Sequence, residues 1–261
     1  GVEDFGRYKE FVARTEASQE AELIARVGGE LLERHFNAGT RVEKGQLLLK
    51  IDPAAYQAGL EQAKADLESK KSGADNAVRN LKRANELIDD GYISQSDFDK
   101  LTTEDSQAKA AVAVAEAALE KSALNLGYTE IHAPFTGRVG RVNHDVGNIV
   151  GPNSQSLATL TVTDPIYVNF QVQESEYVTY LQQRTGKRPS EADINLSLRL
   201  PNNTTYIETG KLDFADTKID QGMGTVELRG TFPNPDGIIL SGLFVTLIVE
   251  STAKESKSKQ K

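Results

Sequence analysis

Between Asp52 and Tyr128 apolar residues recur every seven positions along two successive stretches. On the first, Leu60, Leu67, Ala74, Leu81 and Ile88 form one row, and Ala63, Ala77 and Ala84 add a second row three residues further on. On the second stretch Phe98, Val112, Leu119 and Leu126 share a row interrupted by Asp105, while Leu101, Ala108, Ala115 and Ser122 fill the other. That spacing is a coiled-coil seam, and two such arms joined by a few residues must fold back on each other. At about 1.5 Å of rise per residue, an arm of this length is expected to reach on the order of 50 Å from its base. The ends are chemically marked. Asp52-Pro53 offers an N-cap followed by proline at the first helical position, Asp89-Asp90-Gly91 a glycine stop, Ser94 with Asp97 a capping box, and Gly127 a second stop.

Outside this hairpin the period changes. From Glu20 short apolar runs are cut by glycines, and the same pattern returns after the hairpin at a constant offset of 108 residues: Ala25 with Ala133, Gly29 with Gly137, Leu31 with Val139, Gly39 with Gly147, Val42 with Val150. Five matches in register indicate an internal duplication. Half of such a unit cannot bury a core alone, so the two copies are expected to interlock into one flattened β sandwich with the hairpin inserted between them. From Asp164 onward Ile166, Val168, Phe170 and Val172 alternate with Tyr167, Asn169 and Gln171, the mark of a half-buried strand. A short helix is expected over 174–184, with Tyr177 and Leu181 on one face and Gly186 as its stop, then strands over 194–200, 206–214, 225–232 and 243–249. Asn234-Pro235-Asp236-Gly237 reads as a β-turn between the last two. With a lone strand at 5–17, which carries Phe5, Tyr8, Phe11 and Val12, the count reaches six, enough for a small closed barrel.

Composition narrows the function classes. The 261 residues are 38% hydrophobic and 26% charged, as in an ordinary folded chain, and the net charge of -8 with no basic stripe argues against nucleic acid. Only the tail from Lys254 is lysine-rich, which reads as a frayed terminus. No cysteine is present, so disulfides, thiolate metal sites and cysteine nucleophiles are excluded. The longest apolar run, Ile238 to Val249, is too short for a spanning helix and reads as a strand. His35, His132 and His144 lack the close spacing of a metal pair, and no nucleophile elbow, P-loop or HExxH occurs. Neither an enzyme nor a cofactor or metal site is indicated.

Three segments resemble the periplasmic adaptors, or membrane fusion proteins, of RND-type tripartite multidrug efflux pumps of Gram-negative bacteria. The run from Gly39 through Asp52-Pro53 to Tyr56 is similar to the family's first lipoyl half entering its hairpin. Leu124 to Gly137, with Ile131 and Ala133-Pro134, is similar to the second half, and Gly224-Thr225 through Phe232 to Gly237 to its barrel signature. The resemblance implies an elongated α+β multidomain chain: an antiparallel coiled-coil hairpin (53–128) in a lipoyl-like β-sandwich (18–52 and 129–163), then a six-stranded β-barrel (1–17 and 164–250) and a tail (251–261). It implies an adaptor bridging an inner-membrane RND transporter and a TolC-like outer-membrane channel. That adaptor is expected to assemble as a hexamer in the periplasm, anchored to the inner membrane in the full-length protein.

The family's hairpin tip carries Arg-x3-Leu-x6-Ser, matched here by Arg83, Leu87 and Ser94, which the resemblance assigns to channel binding. On spacing alone Ser94 reads equally as an N-cap, Leu87 as packing beside Ile88 and Arg83 as a solvated charge. Two departures stand out: Ser241-Gly242 replaces a usual Pro-Gly pair, and the family's membrane-proximal domain is expected to be missing. Within the adaptor class an ABC-type exporter or type I secretion system is the alternative client. A metal pump calls for methionine-rich ligand sets, and Met223 is the single methionine. From another class, a lipoyl or biotinyl carrier domain would hold a modifiable lysine on the turn between its halves; Lys50 lies on the run-in to the helix instead. Hinges are expected where paired chain crossings join the modules, near Asp52 with Thr129 and near Ser18 with Thr163.

Overall fold

The heptad rows become two helices that bury their seam positions against each other. The structure, a computed structural model, describes residues 8–183 and 194–251. In chain order its elements are β1 (Tyr8–Leu23), β2 (Gly29–Arg34), β3 (Arg41–Val42), β4 (Leu47–Ile51), α1 (Ala54–Ile88), α2 (Gln95–Gly127), β5 (Glu130–His132), β6 (Gly137–Val139), β7 (Ile149–Val150), β8 (Ala158–Gln173), α3 (Glu174–Gln183), β9 (Ile194–Arg199), β10 (Lys211–Asp220), β11 (Thr225–Phe232) and β12 (Phe244–Ser251). They divide into two compact units, one of residues 1–21, 136–140 and 159–261, the other of residues 22–135 and 141–158. Phe5, the helix end at Arg184 with its Gly186 stop, and the tail from Lys254 lie outside the described residues.

In the second unit α1 and α2 pack along each other, with Leu67, Ala74 and Ala84 of α1 and Asp105 and Ala115 of α2 buried. The other seam residues, among them Leu60, Leu81, Ile88, Phe98, Val112 and Leu126, are partly buried. Asp105 occupies a seam position as the sequence pattern requires. Its Oδ2 pairs with Lys109 Nζ at 2.9 Å one turn on, and its Oδ1 has no hydrogen-bond partner among the described residues. The entry to α1 uses the expected residues one position later: Pro53, at φ -87° and ψ -5°, stands at the N-cap with Ala54 as the first helical residue, and Asp52 Oδ1 accepts the Ala54 N–H at 3.0 Å from just ahead of it. The exit from α2 does not. Gly127 is the last helical residue and has no positive φ; Thr129 closes the helix instead, its N–H and its hydroxyl both donating to the Leu126 carbonyl at 3.1 and 2.6 Å.

The duplicated positions are structurally equivalent. Gly29 and Gly137 each open a strand, Leu31 and Val139 are fully buried in those strands, Gly39 and Gly147 have φ of +84° and +101°, and Val42 and Val150 are buried in the short strands that follow. Leu49 and Leu157, also 108 residues apart, are both fully buried. In the second unit the strands run β5-β4-β2-β7, with Gly29 opposite Val150 and Leu31 opposite Ile51, so strands from both copies share one sheet. The two strand-opening glycines are kept by space rather than by φ. A Cβ on Gly29 would stand 2.7 Å from Ile51 Cγ2, and one on Gly137 2.5 Å from the Thr161 carbonyl oxygen.

In the first unit the sheet order is β10-β11-β8-β1-β12-β9, with β6 also on β8. β1 lies against β12 from Tyr8 opposite Glu250 to Arg14 opposite Phe244, so the lone strand expected near the N-terminus has its partner at the other end of the chain. Ile166, Val168, Phe170 and Val172 of β8 are buried as their alternation predicts, and they share a core with Leu196, Leu198, Leu228, Phe232 and Leu247. On the outer face Arg199 of β9 reaches across β12 to Glu10 of β1 at 2.7 Å, and that hydrogen bond holds the Glu10 carboxyl below the usual carboxylate range. α3 packs on this core through Tyr177 and Tyr180, whereas Leu181, expected on that face, is exposed.

The expected strand over 206–214 starts later, at Lys211, because Tyr206 is held apart from it. The Tyr206 ring is buried, its hydroxyl donates to the Pro233 carbonyl at 2.7 Å and its N–H donates to the Leu198 carbonyl at 2.8 Å. Isolated bridges, Leu196 with Gly210 and Arg199 with Thr205, still bring this segment against β9. The Asn234–Gly237 turn forms as predicted, with the Gly237 N–H on the Asn234 carbonyl at 3.1 Å. The departure at Ser241 has a clear local role: its hydroxyl accepts the Ala17 N–H at 3.3 Å, beside Gly242 at φ +86°.

Two changes test this account. Gly137→Ala forces a methyl onto a backbone oxygen and should lower unfolding stability by about 1–3 kcal/mol, whereas Gly140→Ala, with 3.6 Å to its nearest neighbour, should be nearly neutral in urea titration. Asp105→Leu replaces a buried, half-satisfied carboxylate with a seam hydrophobe and should raise the stability of the helix pair by about 1–3 kcal/mol, read from the helical signal during urea unfolding.

Candidate functional site

The six residues between α1 and α2 form a tightly hydrogen-bonded tip. Gly91 adopts φ +74°, which an L side chain resists, and this left-handed residue lets the chain turn back on the end of α1. The Gly91 N–H donates to the Ile88 carbonyl at 3.2 Å and the Tyr92 N–H to the Leu87 carbonyl at 3.0 Å, the pair of bonds that defines a Schellman helix end. Three residues on, Ser94 is extended (φ -75°, ψ 156°). Its Oγ accepts the Asp97 N–H at 3.1 Å and its carbonyl the Phe98 N–H at 3.1 Å, so it caps α2. Gln95 Nε2 adds a bond to Asp99 Oδ1 at 2.9 Å in the first turn.

The three residues matched to the family motif lie within this end of the hairpin. Arg83 is exposed on the penultimate turns of α1 and donates to Asn80 Oδ1 at 3.3 Å. Leu87, one turn further and next to the seam residue Ile88, is 40% exposed. Ser94 is exposed but serves as the cap. Sequence reasoning passed over Tyr92, which at 76% exposure is the most solvent-accessible aromatic of the tip. The signal was present: an aromatic directly after a helix-stopping glycine lies outside both seam rows and has no helical neighbour to pack on.

The base of the hairpin is braced rather than loosely jointed. The Ile51 N–H donates to the Thr129 carbonyl at 2.7 Å and the Asp52 N–H to the Glu30 carbonyl at 2.8 Å. The Tyr56 hydroxyl donates to the Gly28 carbonyl, and the Arg26 guanidinium stands 4.1 Å from the centre of the Tyr128 ring. The chain crossings at Asp52 and Thr129, expected as a hinge, are therefore tied to the sheet by backbone bonds and by a side chain from each helix end. Beside them an open groove of about 390 Å³ is lined by Lys50, Gln57, Leu60, Leu126 and Glu130. Lys50 sits within β4 directly opposite Glu130, not on a turn. His35 and His132 are exposed and His144 is half-buried, and each is bonded: His35 to Glu33 at 2.8 Å, His132 to the Gly45 carbonyl at 3.0 Å, His144 to the Gln155 carbonyl at 3.3 Å.

Comparison with known proteins bears on this arrangement. A family model described as the barrel-sandwich hybrid domain of RND MFPs matches residues 19–163, and one described as their beta-barrel domain matches residues 165–253. The efflux pump periplasmic linker BepF of Brucella suis biovar 1 (strain 1330) is 40% identical over 243 residues, 92% of this chain and 58% of that protein. The multidrug resistance protein MdtE of Escherichia coli (strain K12) is 35% identical over 250 residues, 95% of this chain and 65% of that protein. The chain thus spans 58–65% of the length of these relatives. Among solved structures, a MacA–MexA chimeric protein containing the Pseudomonas aeruginosa MexA alpha-hairpin domain has a similar fold. Its TM-score is 0.65 at 21% identity, and the match covers 95% of this chain and 83% of that one.

Removing the cap gives a local test. Ser94→Ala takes away the acceptor for the Asp97 N–H and should lower hairpin stability by about 1 kcal/mol, while Ser94→Asn, which can cap equally well, should leave it unchanged. Thermal unfolding followed by far-ultraviolet circular dichroism checks both; equal melting of the alanine variant and the parent would contradict the capping role.

Proposed function

This chain belongs to the RND membrane fusion proteins, and from that membership we propose that it is the periplasmic adaptor of a tripartite drug efflux pump. Such an adaptor links an inner-membrane RND transporter to a TolC-like outer-membrane channel. The observation that carries this reading is a long helical hairpin inserted between the two copies of a duplicated β unit, with Arg83 and Leu87 exposed at its far end. Its relatives, an efflux pump periplasmic linker and a multidrug resistance protein, support the same reading.

In this reading the chain acts by geometry and catalyses nothing. The helix pair (53–128) is a coiled coil, the lipoyl-like sandwich comprises 18–52 and 129–163, and residues 1–17 with 164–250 close into a six-stranded barrel. Buried seam residues and the bridges between β9 and the segment ahead of β10 support the first and last of these. The adaptor works in the periplasm as a ring, expected to be hexameric, held to the inner membrane by parts of the full-length protein. Among the described residues no helix is long and apolar enough to cross a membrane. A carrier-domain role is disfavoured because Lys50 is held within a strand, where a swinging arm has no room to swing.

The tip supplies the channel contact: Arg83 offers a fork of donors for a carboxylate or for helix-end carbonyls, and Leu87 an apolar contact. Arg83→Asp in the full-length protein should abolish channel recruitment and drug efflux in a host lacking its own adaptor, with helicity unchanged. Parental drug resistance in cells carrying that variant would sink the proposal.

A further inference from the structure

Of the three residues matched to the motif, one is engaged within the tip itself. The Ser94 oxygen accepts the Asp97 N–H, so its first duty is to start α2. The large exposed apolar surface beside it belongs to Tyr92 and Leu87, 76% and 40% exposed, and these two residues are joined through the Tyr92 N–H on the Leu87 carbonyl. Two backbone bonds and a left-handed glycine hold the loop that carries Tyr92, so its backbone is ordered before any partner arrives. A tyrosine on such a loop presents a wide, amphipathic ring with few torsions left to freeze, the kind of side chain that dominates binding when it enters a pocket.

The surrounding charge says what kind of pocket. Between Arg83 and Lys100, from Ala84 through Asp99, the chain holds five carboxylates, Glu86, Asp89, Asp90, Asp97 and Asp99, and no lysine or arginine, so the loop that carries Tyr92 is acidic while Arg83 stands outside it as a separate cation. A partner that seats Tyr92 and Leu87 brings its rim against these groups, and an acidic or neutral rim would be repelled or left unpaired. We propose that Tyr92 is the apolar anchor by which the hairpin enters its partner and that Ser94 is a positioning residue acting through the α2 N-terminus. The receiving surface is an apolar slot rimmed by lysine or arginine side chains. This rests on the docking reading above and adds to it the anchor, the division of labour between Tyr92 and Ser94, and the chemistry of the slot.

These 261 residues hold no cysteine, so a dye attached through Ser72→Cys marks one exposed site within them, on α1. The labelled full-length protein is titrated with the purified outer-membrane channel of the same host in lipid nanodiscs. Tyr92→Ala should weaken binding by ~30-fold or more and Tyr92→Phe by no more than ~3-fold, both melting like the parent. Ser94→Ala should bind more weakly and Ser94→Asn as the parent does. The association rate should fall as salt rises, and less steeply in an Asp89→Asn, Asp90→Asn double variant. Parental affinity in Tyr92→Ala, with Arg83→Asp unable to bind, overturns the anchor and leaves the docking reading standing. Failure of Ser94→Asn to restore binding overturns the positioning role, and a salt-independent rate overturns the basic rim. If the unaltered chain does not bind the channel, the docking reading falls and this inference with it.

Discussion

The helices α1 and α2 have no core except each other. Each carries one narrow apolar stripe on more than 30 residues, so neither can satisfy its apolar face without the other, and every feature of the hairpin follows from that mutual burial. The buried apolar positions are mostly small, Ala74, Ala84 and Ala115, with Leu67 the large exception. Small residues at the seam let two helices approach closely, at the cost of little apolar area per turn. A hairpin built this way gains stability from length and from well-made ends. The Schellman turn at Gly91, the Ser94 cap and the Thr129 closure are the places where it is made secure.

Asp105 shows that the seam is not optimised for stability alone. A carboxylate with one oxygen paired to Lys109 and the other without a partner is an expensive residue at a buried position. A polar group at a seam position tolerates only a few registers of the facing helix, and register in turn determines which residues of α1 stand beside the start of α2 at the tip. The surface of the tip therefore depends on residues far down the hairpin. It depends equally on the base, where Arg26 over Tyr128 and Tyr56 on Gly28 tie both helix ends to the sheet.

The first unit solves a different problem, pairing two strands, β1 and β12, that come from opposite ends of the described chain. Thr15 is buried at the meeting point: its hydroxyl donates to the Leu240 carbonyl and accepts the Leu243 N–H, while its backbone bonds Gly242 and Leu243. Asn234 does the same midway along β8. Its side chain bonds Thr163 and both backbone groups of Ile239, and its N–H donates to Asp164 Oδ1. Buried polar groups are tolerated here because the Thr15 hydroxyl and the Asn234 amide bond backbone groups that the turns would otherwise leave unpaired.

Much of this was legible in sequence because it rests on period and spacing. The heptad rows determined the helix pair and its buried positions, the 108-residue offset determined the paired glycines and apolar positions of the duplicated unit, and strict alternation determined the second half of β8, though not its start at Ala158. Each of these is a local rule applied many times, so single errors do not spoil it. The candidate site was half legible: Arg83, Leu87 and Ser94 stand at a readable spacing, but their roles differ, since the hydrogen bond from Asp97 makes Ser94 a cap and the Gly91 turn leaves Tyr92 as the exposed ring. What only the tertiary structure decided were the contacts between residues distant in sequence, such as Tyr206 on Pro233, Thr15 on Leu240, Ser241 on Ala17 and Arg26 on Tyr128. No periodicity encodes these, because each has at least one partner in an irregular segment and forms only after the sheets and helices have brought the two together.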